Sequence, residues 1–222
     1  MPRGSKMIKA VIFDVDGTLV DTERLGMAAW TQAAADLGLE LPQETLKNFI
    51  GRNLAGVLGL LSDLYDNEED GPRLWERHRE IRSVMEETDL VLKAGAAECI
   101  DELNTAGHYV SVATSARRVT AETNLARVGL LDKFKAVTCG DEVEHGKPDP
   151  EIYLLACERA GVDPDECVVV EDSRNGCLSG IAAGAHVVAV PDIVPLPAEV
   201  VDGCDAVLGT LHELPAAVAK LA

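Results

Sequence analysis

The chain has 222 residues, 47% of them hydrophobic, with 20 basic residues against 38 acidic ones and a formal net charge of −18. That length supports one good-sized core, or a core with a small accessory domain, and the apolar share excludes a disordered chain. The acidic balance argues against nucleic acid or an anionic membrane as partner, because both demand basic surface; a small anionic substrate remains if local cations or a metal capture it.

MPRGSKM, at the start, lacks the apolar stretch of a secretory signal and is set aside from fold reasoning. IKAVIF, at about residues 8–13, is short, apolar and β-branched, and predicts a buried strand. It runs directly into DVDGT, residues 14–18. Residues from about 23 to 92 carry no valine-rich run, only helical periodicity. Leu74, His78, Ile81 and Met85 fall at i, i+4, i+7 and i+11 on one predicted helix face. The arginines of this stretch, Arg24, Arg52, Arg73, Arg77, Arg79 and Arg82, read mostly as solvated faces with local ion pairs.

From Ala94 onward a rhythm sets in: a helical stretch, a glycine, a short β-branched strand. Gly107, Gly129, Gly161 and Gly184 precede predicted strands at about 108–114, 135–139, 167–171 and 186–190, and DAVL at 205–208 is a late strand. Such alternation predicts a parallel sheet covered on both faces. The expected fold is α/β: a Rossmann-like parallel sheet core over 7–22 and 93–222, with an all-helical cap over 23–92 inserted after the first strand. No apolar run has the length of a membrane span. Cys99, Cys139, Cys157, Cys167, Cys177 and Cys204 are scattered without a C-x-x-C pair, which suits reduced thiols in a cytoplasmic protein rather than a disulfide framework or a zinc site. A monomer is the default expectation.

In an open parallel sheet, ligands bind at the carboxyl ends of the strands. Asp14 and Asp16 follow the first strand, and Thr114 and Ser115 the second. Lys147 lies in the loop GDEVEHGKPDP after the third, and Glu171, Asp172 and Ser173 follow the fourth. Each has a plainer reading taken alone. D-x-D-G is often a tight turn, Lys147 a surface lysine, Thr114 or Asp172 a helix cap. An EF-hand is excluded, because no glutamate follows at the loop end and a strand precedes the loop. Co-occurrence at strand ends outweighs the plainer readings. Carboxylates without histidine or thiolate suit a hard cation, Mg²⁺. Two aspartates in different environments can divide the work of nucleophile and proton carrier, and hydroxyls with a lysine can hold an oxyanion. This is equipment for phosphoryl transfer. The absence of G-x-x-x-x-G-K-[ST] argues against a P-loop nucleotidase. Gly176, Gly180 and Gly184 read as one face of a helix packed closely on the sheet.

DVDGT, Thr114, Lys147 in GKPDP, and EDS at 171–173 resemble, in order, the four motifs of the haloacid dehalogenase superfamily. The helical insertion, DTE at 21–23 and GKPDPEIY resemble its β-phosphoglucomutase-like phosphatase subgroup, over nearly the whole chain from Ile8 to Leu221. The resemblance implies phosphoryl transfer through an aspartyl-phosphate. Asp14 would be the nucleophile and Asp16 the acid that protonates the leaving oxygen and then activates water. Thr114 and Lys147 would hold phosphoryl oxygens. Mg²⁺ would be bound by Asp14, the Asp16 backbone carbonyl and Asp172, with Glu171 a further candidate. Asp16 itself favours phosphate over dehalogenase chemistry, and neither Lys47 nor Lys93 resembles the Schiff-base lysine of the phosphonate-cleaving relatives.

The expected activity is hydrolysis of small phosphomonoesters, sugar or polyol phosphates, with Ser115 and Arg52 as substrate contacts. The alternatives are a phosphosugar mutase and, further off, a non-catalytic binding protein on the same fold. The mutases carry a histidine four residues before a tryptophan; here the tryptophan is Trp30 and the matching residue is Gly26. They also carry an arginine three residues after the glycine that matches Gly51, where this chain has Leu54, with Arg52 nearby. Both departures favour water as the acceptor.

Overall fold

The computed structural model describes residues 7–49 and 54–221. The chain divides into two compact units, one of Met1–Val20 with Val91–Ala222, the other of Asp21–Leu90.

The first unit is built on a six-stranded parallel sheet: β1 (Ala10–Phe13), β2 (Tyr109–Thr114), β3 (Val137–Cys139), β4 (Cys167–Glu171), β5 (His186–Ala189) and β6 (Ala206–Val207). All four residues of β1 and all five of β4 are buried, so side chains pointing to either face are covered. The spatial order is β3-β2-β1-β4-β5-β6. The chain therefore steps outward from β1 on one side, then restarts at β4 on the other. β1 is the point where the winding reverses, and a crevice opens there at the strands' carboxyl ends.

The helices of this unit are labelled after those of the insertion, α1 (Thr22–Leu37), α2 (Gln43–Lys47), α3 (Leu54–Leu64) and α4 (Asp70–Thr88). They are α5 (Ala96–Thr105), α6 (Arg118–Arg127), α7 (Glu151–Ala160), α8 (Arg174–Ala183), α9 (Ala198–Val201) and α10 (Leu214–Leu221). Helix α7 packs on β1, β2 and β3, and α8 on β4 and β5. The core between them gathers Ile12, Ala113, Ile152, Tyr153, Val169, Cys177 and Val187. The three spaced glycines of α8 do not share one role. A Cβ on Gly180 would stand 2.9 Å from Val187 and 3.1 Å from Val169, which is the expected close helix–sheet approach. Gly184 meets nothing within 4 Å and instead ends the helix at φ +83°, a conformation that favours glycine. Around the insertion, Val20 and Leu92 form an antiparallel bridge and the Leu19 carbonyl accepts from the Lys93 N–H at 2.9 Å, so the outgoing and returning chains lie side by side.

The second unit is helical. Trp30, Ala33 and Ala34 of α1, Leu46 of α2, Phe49, Val57 and Leu61 of α3, and Leu74 of α4 make its apolar centre. On the predicted face of α4, Leu74 and His78 are buried while Ile81 and Met85 are half-buried. His78 lies flat on Trp30, ring centroids 3.9 Å apart at 8°. The arginines pair locally: Arg73 with Asp70, Arg79 with Glu76, Arg82 with Glu86, and Arg77 with both Glu80 and Asp36.

Candidate active site

The residues at the carboxyl ends of β1 and β4 meet. Asp14 continues the sheet by one backbone bond, its N–H donating to the Val170 carbonyl at 2.9 Å, and its side chain is buried. The chain then turns tightly: Gly17, at φ +86°, donates its N–H to the Val20 carbonyl. A Cβ on Gly17 would stand 2.3 Å from Asp172 Oδ2, so this turn admits only glycine beside the Asp172 carboxylate. Asp16 is half-buried, and no hydrogen bond or ion pair holds its carboxylate among the described residues.

Lys147 Nζ donates to Asp14 Oδ1 at 2.6 Å, to Glu171 Oε1 at 2.7 Å and to the Ala113 carbonyl at 3.1 Å. All three of its donors are engaged, and one of them ties it to β2 immediately before Thr114. Thr114 is buried, and its hydroxyl accepts from the Ala116 N–H at 3.1 Å, so it turns the loop rather than capping α6. Ser115 is exposed. A Cβ on Gly140 would meet the Ser115 carbonyl at 2.3 Å, which sets the close approach of these two loops.

Glu171 is fully engaged. Oε1 accepts from Lys147 and from the Tyr153 hydroxyl at 2.9 Å. Oε2 accepts from the N–H groups of Asp172 and Ser173, both at 3.1 Å, and from the Ser173 hydroxyl at 2.9 Å. Its neighbour across α8 is Gly176, whose Cβ would fall 1.7 Å from Glu171 Oε1. Ser173, not Asp172, caps α8, its hydroxyl accepting from the Gly176 N–H. Asp172 accepts from the Thr18 hydroxyl at 2.8 Å.

Charge in this cluster is unbalanced. Asp14, Glu171 and Asp172 each offer an oxygen within 4.8 Å of the others, all three residues are buried, and Lys147 is the cation bonded among them. Burial pushes the Asp14 carboxyl well above the usual carboxylate range; Lys147 pulls it down, and the charges of Glu171 and Asp16 add to the rise. Burial works against the Lys147 charge, but Asp14 and Glu171 overcome it and hold its pKa well above the usual lysine value. Burial likewise opposes ionisation of Glu171, and the Lys147 charge and hydrogen bond outweigh it. Three carboxylates against one lysine leave the cluster two positive charges short, and such a set of oxygen donors fits a hard divalent cation.

Of the residues singled out in the sequence, Asp14, Lys147, Glu171 and Asp172 come together through direct bonds or a shared oxygen cluster, and Thr114 lies next along the backbone from a Lys147 contact. Arg52 and Gly51 lie outside the described residues. Two side chains of the cluster escaped the sequence reading. Thr18 stands inside DVDGT, two residues after Asp16, and that adjacency was its signal. Tyr153 closes GKPDPEIY, placed in the first turn of α7 directly after the lysine loop.

A doubly wound α/β sheet with a buried acid–lysine cluster at its switch point defines a broad class of enzymes that act on anionic groups. The chain belongs to the haloacid dehalogenase-like hydrolases, whose family model matches residues 11–190. It is 33% identical over 178 residues to the phosphorylated carbohydrates phosphatase of Thermotoga maritima, covering 80% of this chain and 82% of that protein. It is 33% identical over 207 residues to hexitol phosphatase A of Escherichia coli, covering 93% of each. A Thermotoga maritima crystal structure provisionally named a β-phosphoglucomutase superposes with a TM-score of 0.82 at 28% identity, covering 96% of this chain and all of that one.

Proposed function

We propose that this protein is a Mg²⁺-dependent phosphatase that hydrolyses small phosphomonoesters, sugar or polyol phosphates, through an aspartyl-phosphate. The observation that carries this reading is the Asp14 carboxylate, buried at the end of the central strand with one oxygen held by Lys147 at 2.6 Å. That oxygen is kept from rotating, and the second points the nucleophile. The named relatives, two phosphatases of phosphorylated carbohydrates or hexitols, supply the substrate class.

In the first half-reaction an Asp14 oxygen attacks phosphorus, and the ester oxygen leaves with a proton from Asp16. In the second, Asp16 takes a proton from water, the water oxygen attacks phosphorus, and inorganic phosphate departs, returning the Asp14 carboxylate. Asp16 suits proton traffic because among the described residues no partner holds its half-buried carboxylate. Lys147 offsets the repulsion between an anionic nucleophile and a phosphate dianion. Asp14, Asp172 and the Asp16 carbonyl would hold Mg²⁺, whose charge would withdraw electrons from the phosphoryl oxygens. Glu171 has its oxygens filled by five donors of its own chain, so we assign it to holding Lys147 rather than to ligating the metal directly. Thr114, Ser115 and Arg52 remain the assigned contacts for phosphoryl oxygens and substrate. The free thiols accord with a reducing compartment, the cytoplasm, and no described helix is long and apolar enough to cross a membrane.

A screen of phosphorylated metabolites tests the reading. Phosphate release from sugar or polyol phosphates is expected with Mg²⁺ and not with EDTA; no release from any member overturns it. The mutase alternative is favoured by the likeness to the structure named for β-phosphoglucomutase and opposed by Gly26. Given β-glucose 1-phosphate, a trace of the 1,6-bisphosphate and Mg²⁺, the enzyme is expected to form no glucose 6-phosphate. Efficient formation would decide for the mutase. Arg52→Ala is expected to weaken kcat/KM for the best substrate; unchanged values on it and on p-nitrophenyl phosphate would remove Arg52 from recognition.

A further inference from the structure

We propose that Tyr153 is a positioning residue for phosphoryl transfer, holding Glu171 and Lys147 so that the lysine ammonium meets Asp14; this rests on the phosphatase reading above. Tyr153 is fully buried in the first turn of α7 and reaches the site from below through two parts of one side chain. Its hydroxyl donates to Glu171 Oε1 at 2.9 Å. Its ring lies under the Lys147 ammonium, 4.8 Å from Nζ to the centroid. The residue therefore touches both members of the pair that restrains Asp14, without touching Asp14 itself.

A buried phenol must find an acceptor, and most find one of no consequence to chemistry. Here the acceptor is the oxygen that also accepts from Lys147. Two lone pairs on Glu171 Oε1 take two donors, Lys147 and Tyr153, while Oε2 is fixed by Ser173 and the backbone. The carboxylate is thus pinned at both ends. Remove the phenol donor and Oε1 keeps one lone pair unfilled on a side chain that is itself buried. Glu171 then draws Lys147 harder toward itself, away from Asp14. The cation–π contact favours the ammonium over the ring and would remain in a phenylalanine variant. Tyr153→Phe therefore isolates the hydroxyl.

The effect should fall on the transition state, where charge develops on the phosphoryl group, more than on ground-state binding. The experiment first establishes wild-type turnover of p-nitrophenyl phosphate and of the best screened substrate with Mg²⁺. Absence of turnover would sink the phosphatase reading and this inference with it. With turnover in hand, Tyr153→Phe is expected to lower kcat about 10- to 100-fold with KM changed less than about 2-fold, the size of one hydrogen bond to a charged group. Thermal melting reports folding of each variant. The decisive arm is Tyr153→Phe combined with Glu171→Gln. A residue acting through Glu171 should cost less than about 2-fold further once the Glu171 carboxylate is gone, whereas a residue acting on core packing loses the same factor in both backgrounds. Equal factors in the two backgrounds, or kcat unchanged by Tyr153→Phe alone, overturn the inference while leaving the phosphatase reading intact.

Discussion

The two units bury polar side chains in opposite ways. In the sheet unit, Glu171 accepts five hydrogen bonds and Lys147 donates three. In the helical unit, His78 is buried as deeply, yet neither ring nitrogen makes a well-formed hydrogen bond among the described residues. Its ring is held by stacking on Trp30 and leans toward Trp75, centroids 5.5 Å apart. The difference shows what each kind of burial is good for. Satisfied charges make a rigid constellation whose members depend on one another, which suits chemistry. An unsatisfied neutral ring contributes apolar area but carries a desolvation cost, and that cost grows when the ring must take a proton.

The contrast can be broken most severely at Asp14. Asp14→Asn removes the assigned nucleophile, and activity should fall by ~10³-fold or more. Lys147 keeps Glu171 as a counter-charge, while repulsion of Asp14 by Glu171 and Asp16 disappears. The melting temperature without metal should hold or rise. Retention of more than a few per cent of wild-type turnover would dismiss the assignment.

Gly176→Ala attacks the satisfied cluster from behind. The new Cβ claims the space of Glu171 Oε1, and the carboxylate must move off Lys147 and Tyr153. A loss of one such charged hydrogen bond, ~1.5–3 kcal/mol, predicts a ~10- to 100-fold lower kcat/KM together with a lower melting temperature. Wild-type kinetics in this variant would mean that Glu171 has no part in the site.

His78 gives the pH dependence. Burial, then the Arg82 charge on the same helix, lower its pKa from 6.5 to about 3, with the Gly26 backbone opposing. Between those values the unfolded chain binds a proton that the folded chain refuses. The stability is fully present above about pH 6.5 and is lost as pH falls toward 3, by at most ~1.4 kcal/mol per pH unit. His78→Phe keeps a ring on Trp30 and removes both buried ring nitrogens. Denaturant melts from pH 7 down to pH 4 should show a shallower decline in the variant, and at pH 7 a gain of ~1 kcal/mol. Parallel curves would show that His78 does not titrate on unfolding.

The smallest expected change sharpens the helical side. Gly26 lies within α1 at an ordinary backbone conformation, and a Cβ there would stand 3.8 Å from Arg82, normal contact. Gly26→Ala should stabilise the protein by ~0.5–1 kcal/mol through a smaller unfolded-state entropy, with turnover unchanged. A loss of stability would mean that this seam has no room for the methyl group.

Much of the fold and of the site was legible because the signals are local. β-branched runs separated by helical stretches specify strands and their parallel sense, and the residue after each run specifies what stands at a strand's end. Asp14, Thr114, Lys147, Glu171 and Asp172 needed nothing further to be singled out. Helix ends at Gly161 and Gly184 were equally local, since a left-handed residue at a helix terminus favours glycine. The tertiary structure alone decided how those residues divide their contacts. Thr18 and Asp172 are 154 residues apart, Lys147 and Asp14 are 133 apart, and no periodicity links such pairs. That Glu171 is saturated by Lys147, Tyr153 and Ser173, that Gly176 is small on its account, and that His78 is held by stacking on Trp30 all follow from which elements the sheet order and helix packing bring face to face. Sequence patterns report which way a side chain points on its own element; hydrogen bonds and close approaches depend on the element opposite, which only the folded chain supplies.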